Sequence, residues 1–391
     1  MSKVGKNSLT EKTLKLPIYF DYQATTPLDP QVLEAMLPFF TEKFGNPHSV
    51  EHSYGWEADA DIEFSRGHVA SLIGAIEEEI VFTSGATESN NIAIKGVAFA
   101  HHPIKNHIIT VNTEHECVLG CSRSLGNMGF DVSFLEVDKL GMIDLDILRN
   151  TITDKTSLVS VMALNNEIGV IQQLEAIGQI CKDRCVIFHT DAAQAVGKIR
   201  LDVDEMNIDV MSISGHKLYG PKGIGAIYIR KGTHIIPLFD GGGQERGFRS
   251  GTLSPALCVG LGKACNIAGI NMYKNLNYVK NLSERLFEKL SSELKHLKLN
   301  GCALNRYPGN LNFTFSGINS NLLVADLRDI AISSGSACSS AKHQPSYVLK
   351  AIGLTKLQIE ASIRIGIGHV TTVDEIDYAA DHIIECVKNL S

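Results

Sequence analysis

Short apolar runs alternate with helical patterns along most of the chain, and this alternation limits the folds open to it more than any other feature. The apolar runs lie at residues 80–83, 107–111, 132–137, 158–164, 186–189, 210–214 and 226–229. Such alternation predicts an α/β fold with a mostly parallel seven-stranded sheet and helices on both faces. Ligands of these sheets bind beyond the carboxyl ends of the strands, so residues that follow the runs are candidates for a site.

Length, composition and charge indicate a cytoplasmic enzyme. A chain of 391 residues with 44% hydrophobic content can bury a large core and divide into about two or three domains. A net charge of -7 without a basic block argues against a surface for direct nucleic-acid binding. No apolar run approaches the roughly 18 residues that span a bilayer, so no membrane contact is expected. Residues 1–15 are polar and do not resemble a secretory signal.

Lys217 ends one of the apolar runs and begins a glycine-rich turn, directly after His216. A single lysine is most often a solvated surface residue. A partly desolvated ε-amine with a lowered pKa can instead form a Schiff base with an aldehyde cofactor. The position of Lys217 favours this second interpretation.

Asp191 and Gln194 follow another run of the buried-strand type, in His189-Thr-Asp-Ala-Ala-Gln. A carboxylate at the end of a core strand is costly to bury without a positive partner. The protonated ring nitrogen of pyridoxal phosphate (PLP) is such a partner. Asp191 alone is better explained as a helix cap or a turn residue. The presence of Lys217 makes the cofactor the preferred explanation.

A phosphate site is predicted where the run 80–83 meets Ser84-Gly-Ala-Thr and a helical pattern. The order strand, small-residue turn, helix directs free N–H groups and the positive helix end toward one point. Thr87 adds a hydroxyl group. A simple helix cap would explain the same residues, since the stretch lacks the glycine patterns of P-loop and dinucleotide-binding proteins.

Cys338 lies in a small, polar, glycine-containing stretch that predicts a surface loop. Most unpaired cysteines are buried and inert, but a thiol on a loop near Lys342 and His343 can ionise and attack sulfur. The cysteine count of nine is odd, which indicates reduced thiols. The i, i+4 pairs Cys117/Cys121 and Cys181/Cys185 lack partners at zinc-site spacing, so we interpret them as packing residues and expect no metal.

Seven motifs together carry a family resemblance, and they cover nearly the whole chain. They are residues 19–27, 44–49, 84–89, 165–169, 214–217, 249–252 and 333–338. In this order they resemble the class V, fold-type I PLP enzymes, and among these the cysteine desulfurases of the NifS/IscS type. The resemblance implies a large PLP-binding domain of residues 27–271. It also implies a smaller α/β domain of residues 1–26 and 272–391 that carries the loop with the catalytic cysteine.

The resemblance implies a role for each residue at the cofactor ring. Lys217 should hold PLP and then move the Cα proton of the substrate. His115 should stack on the ring and act as an acid/base, since imidazole titrates near neutrality. Asp191 should keep the ring nitrogen protonated, and Gln194 should bond the ring hydroxyl.

The resemblance also implies a phosphate site and a substrate site. The phosphate should be held by Thr87, Ser214 and His216, with Ala86 also at the cofactor. Thr252 should reach the phosphate of a partner subunit, which implies a homodimer. Arg364 should grip the substrate carboxylate with help from Asn166, for which a planar bidentate donor is suited; otherwise Arg364 is an ordinary strand residue with its charge in solvent.

The reaction implied is L-cysteine to L-alanine, with the sulfur retained as a persulfide on Cys338. The sulfur would then pass to an acceptor protein such as an iron–sulfur scaffold or a tRNA-thiolation relay. A selenocysteine lyase, a cysteine sulfinate desulfinase or an aminotransferase of the same fold is the alternative. A non-catalytic scaffold for sulfur trafficking is disfavoured because Lys217, Asp191, His115 and Cys338 are all present.

Overall fold

A computed structural model describes residues 14–333 and 345–390 of the chain. Its strands are β1 (Ile18–Tyr19), β2 (Ile80–Thr83), β3 (His107–Val111), β4 (Asp131–Leu135), β5 (Thr156–Ser160), β6 (Ile187–Asp191), β7 (Val210–Ser214), β8 (Gly225–Ile229), β9 (Leu297–Leu299), β10 (Asn310–Phe315), β11 (Ile330–Ala331) and β12 (Ser362–Gly366).

The α-helices surround and connect these strands. They are α1 (Pro30–Met36), α2 (Pro38–Thr41), α3 (Ser53–Ile73), α4 (Ala86–His101), α5 (Glu116–Asn127), α6 (Leu145–Thr151), α7 (Leu174–Asp183), α8 (Pro255–Glu293), α9 (Ser320–Asp326), α10 (Tyr347–Ala351), α11 (Lys356–Ile359) and α12 (Val373–Leu390). Within residues 14–333 and 345–390, no helix is both long and apolar enough to cross a membrane.

Seven strands form the central sheet, in the order β2-β8-β7-β6-β5-β3-β4. Strand β8 runs antiparallel to both of its neighbours, and the other pairs are parallel. The α/β prediction with a mostly parallel seven-stranded sheet is therefore confirmed. Its strands β2, β3, β7 and β8 are buried throughout, because helices cover both faces.

The apolar run predicted at 158–164 extends past the end of β5. Strand β5 ends at Ser160, but the N–H groups of Val161 and Ala163 still donate to the carbonyl oxygens of His189 and Asp191, at 3.0 Å each. The segment thus continues along β6 without regular ladder pairing. It leads directly into residues 165–167 of the candidate site.

Two smaller sheets lie outside the central one. Strands β12, β10 and β9 form an antiparallel sheet, and β1 pairs in parallel with β11. The 39-residue helix α8 packs along α3. This close approach needs glycine, because a Cβ on Gly262 would lie 2.5 Å from the Cβ of Ser65. The division into domains 27–271 and 1–26 with 272–391 stays a prediction.

Candidate active site

A cleft of about 610 Å³ lies beyond the carboxyl ends of β6 and β7. Most residues that the sequence assigned to a site line it together: Ala86, Thr87, His115, Asn166, Asp191, Gln194, Ser214, His216, Lys217 and Arg364. The chain thus gathers residues that are far apart in sequence around one cavity. This is the arrangement that parallel strands ending at one edge of a sheet produce.

Lys217 follows β7 in a short helical turn, and its amine faces backbone carbonyl groups. Its Nζ donates to the carbonyl oxygens of Gln23 and Ala24, at 2.7 Å each. These acceptors belong to the N-terminal segment 21–26, which also lines the cleft. The segment belongs to the motif of residues 19–27, but none of its residues was predicted to belong to the site. The polar composition of this segment did not predict that its main-chain oxygens would accept hydrogen bonds from the Lys217 amine.

Asp191 is the last residue of β6, and its carboxylate is buried. Its Oδ2 accepts from Asn90 Nδ2 at 2.8 Å, and its Oδ1 accepts from the N–H group of Ala193 at 3.0 Å. No ion pair within the described segments includes Asp191. A buried carboxylate with neutral donors alone suits a cationic ligand that approaches from the cleft.

His115 is the N-cap residue of α5, where its Nδ1 accepts from the N–H group of Cys117 at 3.2 Å. An accepting Nδ1 leaves the proton of the neutral ring on Nε2. Burial lowers the pKa of His115, Asp191 opposes this shift and Lys217 adds to it. The ring is therefore neutral near physiological pH, and its acidic hydrogen is on the nitrogen away from α5.

Cys117 was interpreted as a packing residue, but its thiol also belongs to the site. Its Sγ lies 3.0 Å from His115 Nδ1 and 3.1 Å from Asn90 Nδ2. Burial raises the pKa of this thiol, so it stays protonated and can donate to the imidazole. Because Asn90 also bonds Asp191, Asn90 and Cys117 link the carboxylate to His115. Cys121 and Cys181 are buried in the core as predicted, but Cys185 is exposed, so the packing prediction is wrong for this residue.

The N-terminus of α4 opens into the cleft beside Ser214 and His216. Gly85, the residue before the helix, has φ of 145°, a conformation that favours glycine, and supplies no side-chain cap. His216 Nδ1 lies 3.0 Å from Thr25 Oγ1. Burial lowers the pKa of His216 to about 4, with further contributions from Lys217, Lys222 and Lys198. The N-terminal turn of α4 and the amines of Lys217 and Lys222 thus line one end of the cleft, together with the Glu88 carboxylate, which pairs with Arg249.

Arg364 lies in β12 and is buried, with 1% of its surface exposed. This excludes an ordinary strand residue with its charge in solvent. Its Nη2 donates to Asp21 Oδ1 at 2.5 Å, and its Nη1 donates to the carbonyl oxygen of Asn166 at 3.1 Å. Within the described residues its Nε has no hydrogen-bond partner, although it is buried. A guanidinium group with a spare donor at a cleft fits an anionic ligand.

One predicted site residue is not brought to this cleft, and another lies outside the described residues. Thr252 is exposed in the glycine-rich segment before α8 and is not part of the cavity wall. Cys338 lies outside the described residues, as do Lys342 and His343. Among residues 14–333 and 345–390, no cluster of potential ligands could hold a metal ion.

Comparison with known proteins assigns the family. The family model "Aminotransferase class-V" matches residues 18–379. The protein from Rickettsia bellii named cysteine desulfurase IscS is 55% identical over 379 residues, which cover 96% of this chain and 92% of that protein.

Solved structures agree with this result. A structure named NifS-like protein matches with a TM-score of 0.90 and 36% identity, over 96% of this chain and 100% of its own. A structure described as SspA in complex with cysteine matches with a TM-score of 0.82 and 40% identity, over 91% of this chain and 100% of its own. The chain therefore belongs to the class V aminotransferase family and, within it, to the cysteine desulfurases of the NifS/IscS type.

Proposed function

We propose that this cleft binds PLP through Lys217 and converts L-cysteine to L-alanine, with the sulfur transferred to Cys338. The observation that carries the proposal is the convergence of three groups: the Lys217 amine, the buried Asp191 carboxylate and the open N-terminus of α4. An aldehyde, a ring nitrogen and a phosphate are the complementary groups of one molecule. The solved SspA structure in complex with cysteine supports the substrate assignment.

The residues fit PLP at each of its functional groups. Asp191 has neutral donors on both oxygens and would take the protonated ring nitrogen as its cationic partner. The first-turn N–H groups of Ala86 and Thr87, with Ser214 and His216, would hold the phosphate. Gln194 would reach the ring hydroxyl. When bound, PLP supplies an electron sink that stabilises negative charge at the substrate Cα.

The substrate carboxylate would be oriented by Arg364 and Asn166. The buried Nε of Arg364 offers a donor that the described residues do not use, while Asp21 and Asn166 hold the guanidinium in place. This orientation would bring the Cα–H bond of the substrate near Lys217. The ε-amine of Lys217 would remove the Cα proton and return one to the product, because it is the basic group that the cleft provides at that point.

The His115 ring would lie against the cofactor and exchange a proton through Nε2. Its Nδ1 is occupied by the N–H group of Cys117, so Nε2 is the nitrogen left for this transfer. The lowered pKa keeps the imidazole neutral near physiological pH, with its proton on Nε2 available for transfer.

Sulfur transfer to Cys338 balances without an external oxidant. The Cβ–S bond of cysteine breaks, an S–S bond to the Cys338 thiolate forms, and Cβ gains a proton to give alanine. The enzyme is left with a persulfide, which we propose to be delivered to an iron–sulfur scaffold or a tRNA-thiolation relay. Cytoplasmic location stays a prediction.

A homodimer is the proposed assembly. Thr252 is exposed and outside its own cleft, as expected of a residue that serves the partner's phosphate. The segment around α2 and α3 also exposes several large apolar side chains, which a second copy of the chain would cover: Phe40, Phe44, Tyr54, Trp56 and Phe64.

The proposal is tested by loading the purified protein with PLP and reducing it with borohydride. Peptide mass analysis should find the cofactor on Lys217, and Lys217→Ala should lose both the label and essentially all turnover. Alanine and protein-bound persulfide should form together from L-cysteine. Labelling of a different lysine would reject the assignment, and release of sulfide without persulfide would favour a lyase. Faster turnover of selenocysteine or of cysteine sulfinate than of L-cysteine would indicate a selenocysteine lyase or a cysteine sulfinate desulfinase, respectively.

A further inference from the structure

A second lysine, Lys198, directs its amine toward Gln194, a residue of the cleft wall. The chain coils after β6, where the N–H group of Lys198 donates to the carbonyl oxygen of Ala195 at 3.0 Å. Gly197 adopts φ of 74°, which brings Lys198 back over Gln194. Lys198 Nζ then donates to Gln194 Oε1 at 3.0 Å. The side chain thus ends at the residue proposed to meet the ring hydroxyl of PLP.

This contact fixes the orientation of the Gln194 amide. Lys198 donates to the oxygen, and the Gln194 Nε2 group donates to the carbonyl oxygen of Gln23 at 2.8 Å. Within the described part of the chain, Lys198 is the one residue that donates to Gln194 Oε1. The buried amide oxygen would lose this donor without Lys198, and a buried unsatisfied acceptor costs about 1–3 kcal/mol. The amide would then turn to find a new donor.

The surroundings of Lys198 explain why an amine here is unusual. Its Nζ lies 5.6 Å from the centre of the Tyr307 ring, and it lines a cavity of about 40 Å³ together with Lys217. Burial lowers the pKa of Lys198 to about 7, and the positive charges of Lys217 and Arg364 add to this. A lysine placed among other cations is costly, so its position points to a function other than stability.

We infer that Lys198 is a positioning residue that holds the Gln194 side chain so that its N–H group faces the ring oxygen of the cofactor. The inference depends on the proposed binding of PLP at Lys217. An N–H donor stabilises negative charge on that oxygen, and this charge is greatest in the deprotonated form of the bound cofactor. The contact therefore lowers the pH at which the bound cofactor loses its proton.

Lys198→Met tests this, because methionine keeps the length of the side chain but cannot donate. The visible absorption of the PLP-loaded variant should titrate about one pH unit higher than that of the wild type, as loss of one hydrogen bond to a charged group predicts. Lys182→Met is the matched control, since Lys182 also donates to an amide oxygen, that of Asn207, at 2.9 Å on the surface. Its titration should be unchanged.

Action through Gln194 is distinguished from a plain charge effect by the double variant Lys198→Met/Gln194→Ala. The midpoint of its absorption titration should equal that of Gln194→Ala alone, because no amide is left to position. A further rise on adding Lys198→Met would overturn the inference in favour of direct electrostatics.

Gln194→Met provides a second route if Lys198→Met does not fold. It keeps Lys198 but has neither an N–H donor nor a charge at position 194, so the midpoint of its absorption titration should also rise. An unchanged midpoint in Gln194→Met would likewise overturn the inference. Wild-type protein that takes up no PLP would instead reject the proposed function itself.

Discussion

Arg364→Lys should weaken the use of L-cysteine while it keeps the positive charge in the cleft. The guanidinium group donates to Asp21 and to Asn166 with its two terminal nitrogens and has a third buried donor, Nε. The ammonium group of lysine is a compact charge and cannot donate hydrogen bonds to Asp21, to Asn166 and to a substrate carboxylate at the same time. Losing one charge-assisted hydrogen bond of about 1.5–3 kcal/mol corresponds to a fall of roughly 10- to 100-fold in kcat/KM.

The assay is the steady-state formation of alanine from L-cysteine by PLP-loaded enzyme. Most of the loss should be in KM, because the carboxylate contact is made in the bound substrate as well as in the transition state. Arg306→Lys is the control. Arg306 also has a buried Nε without a partner among the described residues, and its terminal nitrogen Nη2 donates to main-chain oxygens. It lies outside the cleft. A normal KM in Arg364→Lys, or an equal increase in both variants, would refute the assignment.

Three further outcomes are expected. Cys338→Ser should retain PLP and L-cysteine binding but lose persulfide formation, measured by alkylation and mass analysis; retained desulfurase turnover would exclude this thiol as the sulfur acceptor. Mixed Lys217→Ala and Thr252→Ala subunits should regain activity above both parents, because a shared site places both faults in one cleft; no gain would indicate that Thr252 serves its own subunit. Burial lowers the pKa of His189 to about 3 from 6.5, so its contribution to stability is present above pH 6.5 and is lost as the pH falls toward 3; denaturant unfolding of His189→Asn should show a weaker acid dependence than the wild type, and equal dependence would contradict this.

The central sheet was predictable because each of its strands can be recognised from the hydrophobicity of a short stretch of sequence. Strands such as β2, β3 and β7 are mainly apolar runs with the bounds that the sequence predicted. Their side chains are buried on both faces, so hydrophobicity alone marks them. Residues that follow these strands, such as Asp191 and Lys217, were found for the same reason. The polar group lies where a buried strand ends, and the topology then brings the ends together.

The contacts that complete the site were not predictable from local patterns. Gln23 and Ala24 contribute main-chain oxygens to Lys217, and any residue type can supply a carbonyl group. Cys117 was assigned to packing because the pair Cys117/Cys121 lacks partners at zinc-site spacing. Helix α5 begins at the cleft, however, and places the two cysteines at different depths. Such roles depend on which segments, far apart in sequence, come into contact. In the sequence, these contacts are indicated only by the family resemblance.

The N-terminal segment 21–25 contacts the proposed cofactor-binding residues and the proposed substrate-binding residue of the candidate site. Asp21 accepts a hydrogen bond from Arg364 of β12. The carbonyl oxygens of Gln23 and Ala24 accept from the Lys217 amine. The Thr25 hydroxyl is hydrogen-bonded to His216. One short segment therefore contacts the proposed substrate anchor, the proposed cofactor lysine and the proposed phosphate site. Its path is set by β1, whose pairing with β11 places Ile18 opposite Ile330. The pairing of β1 with β11 therefore helps to set where this segment meets Lys217 and Arg364.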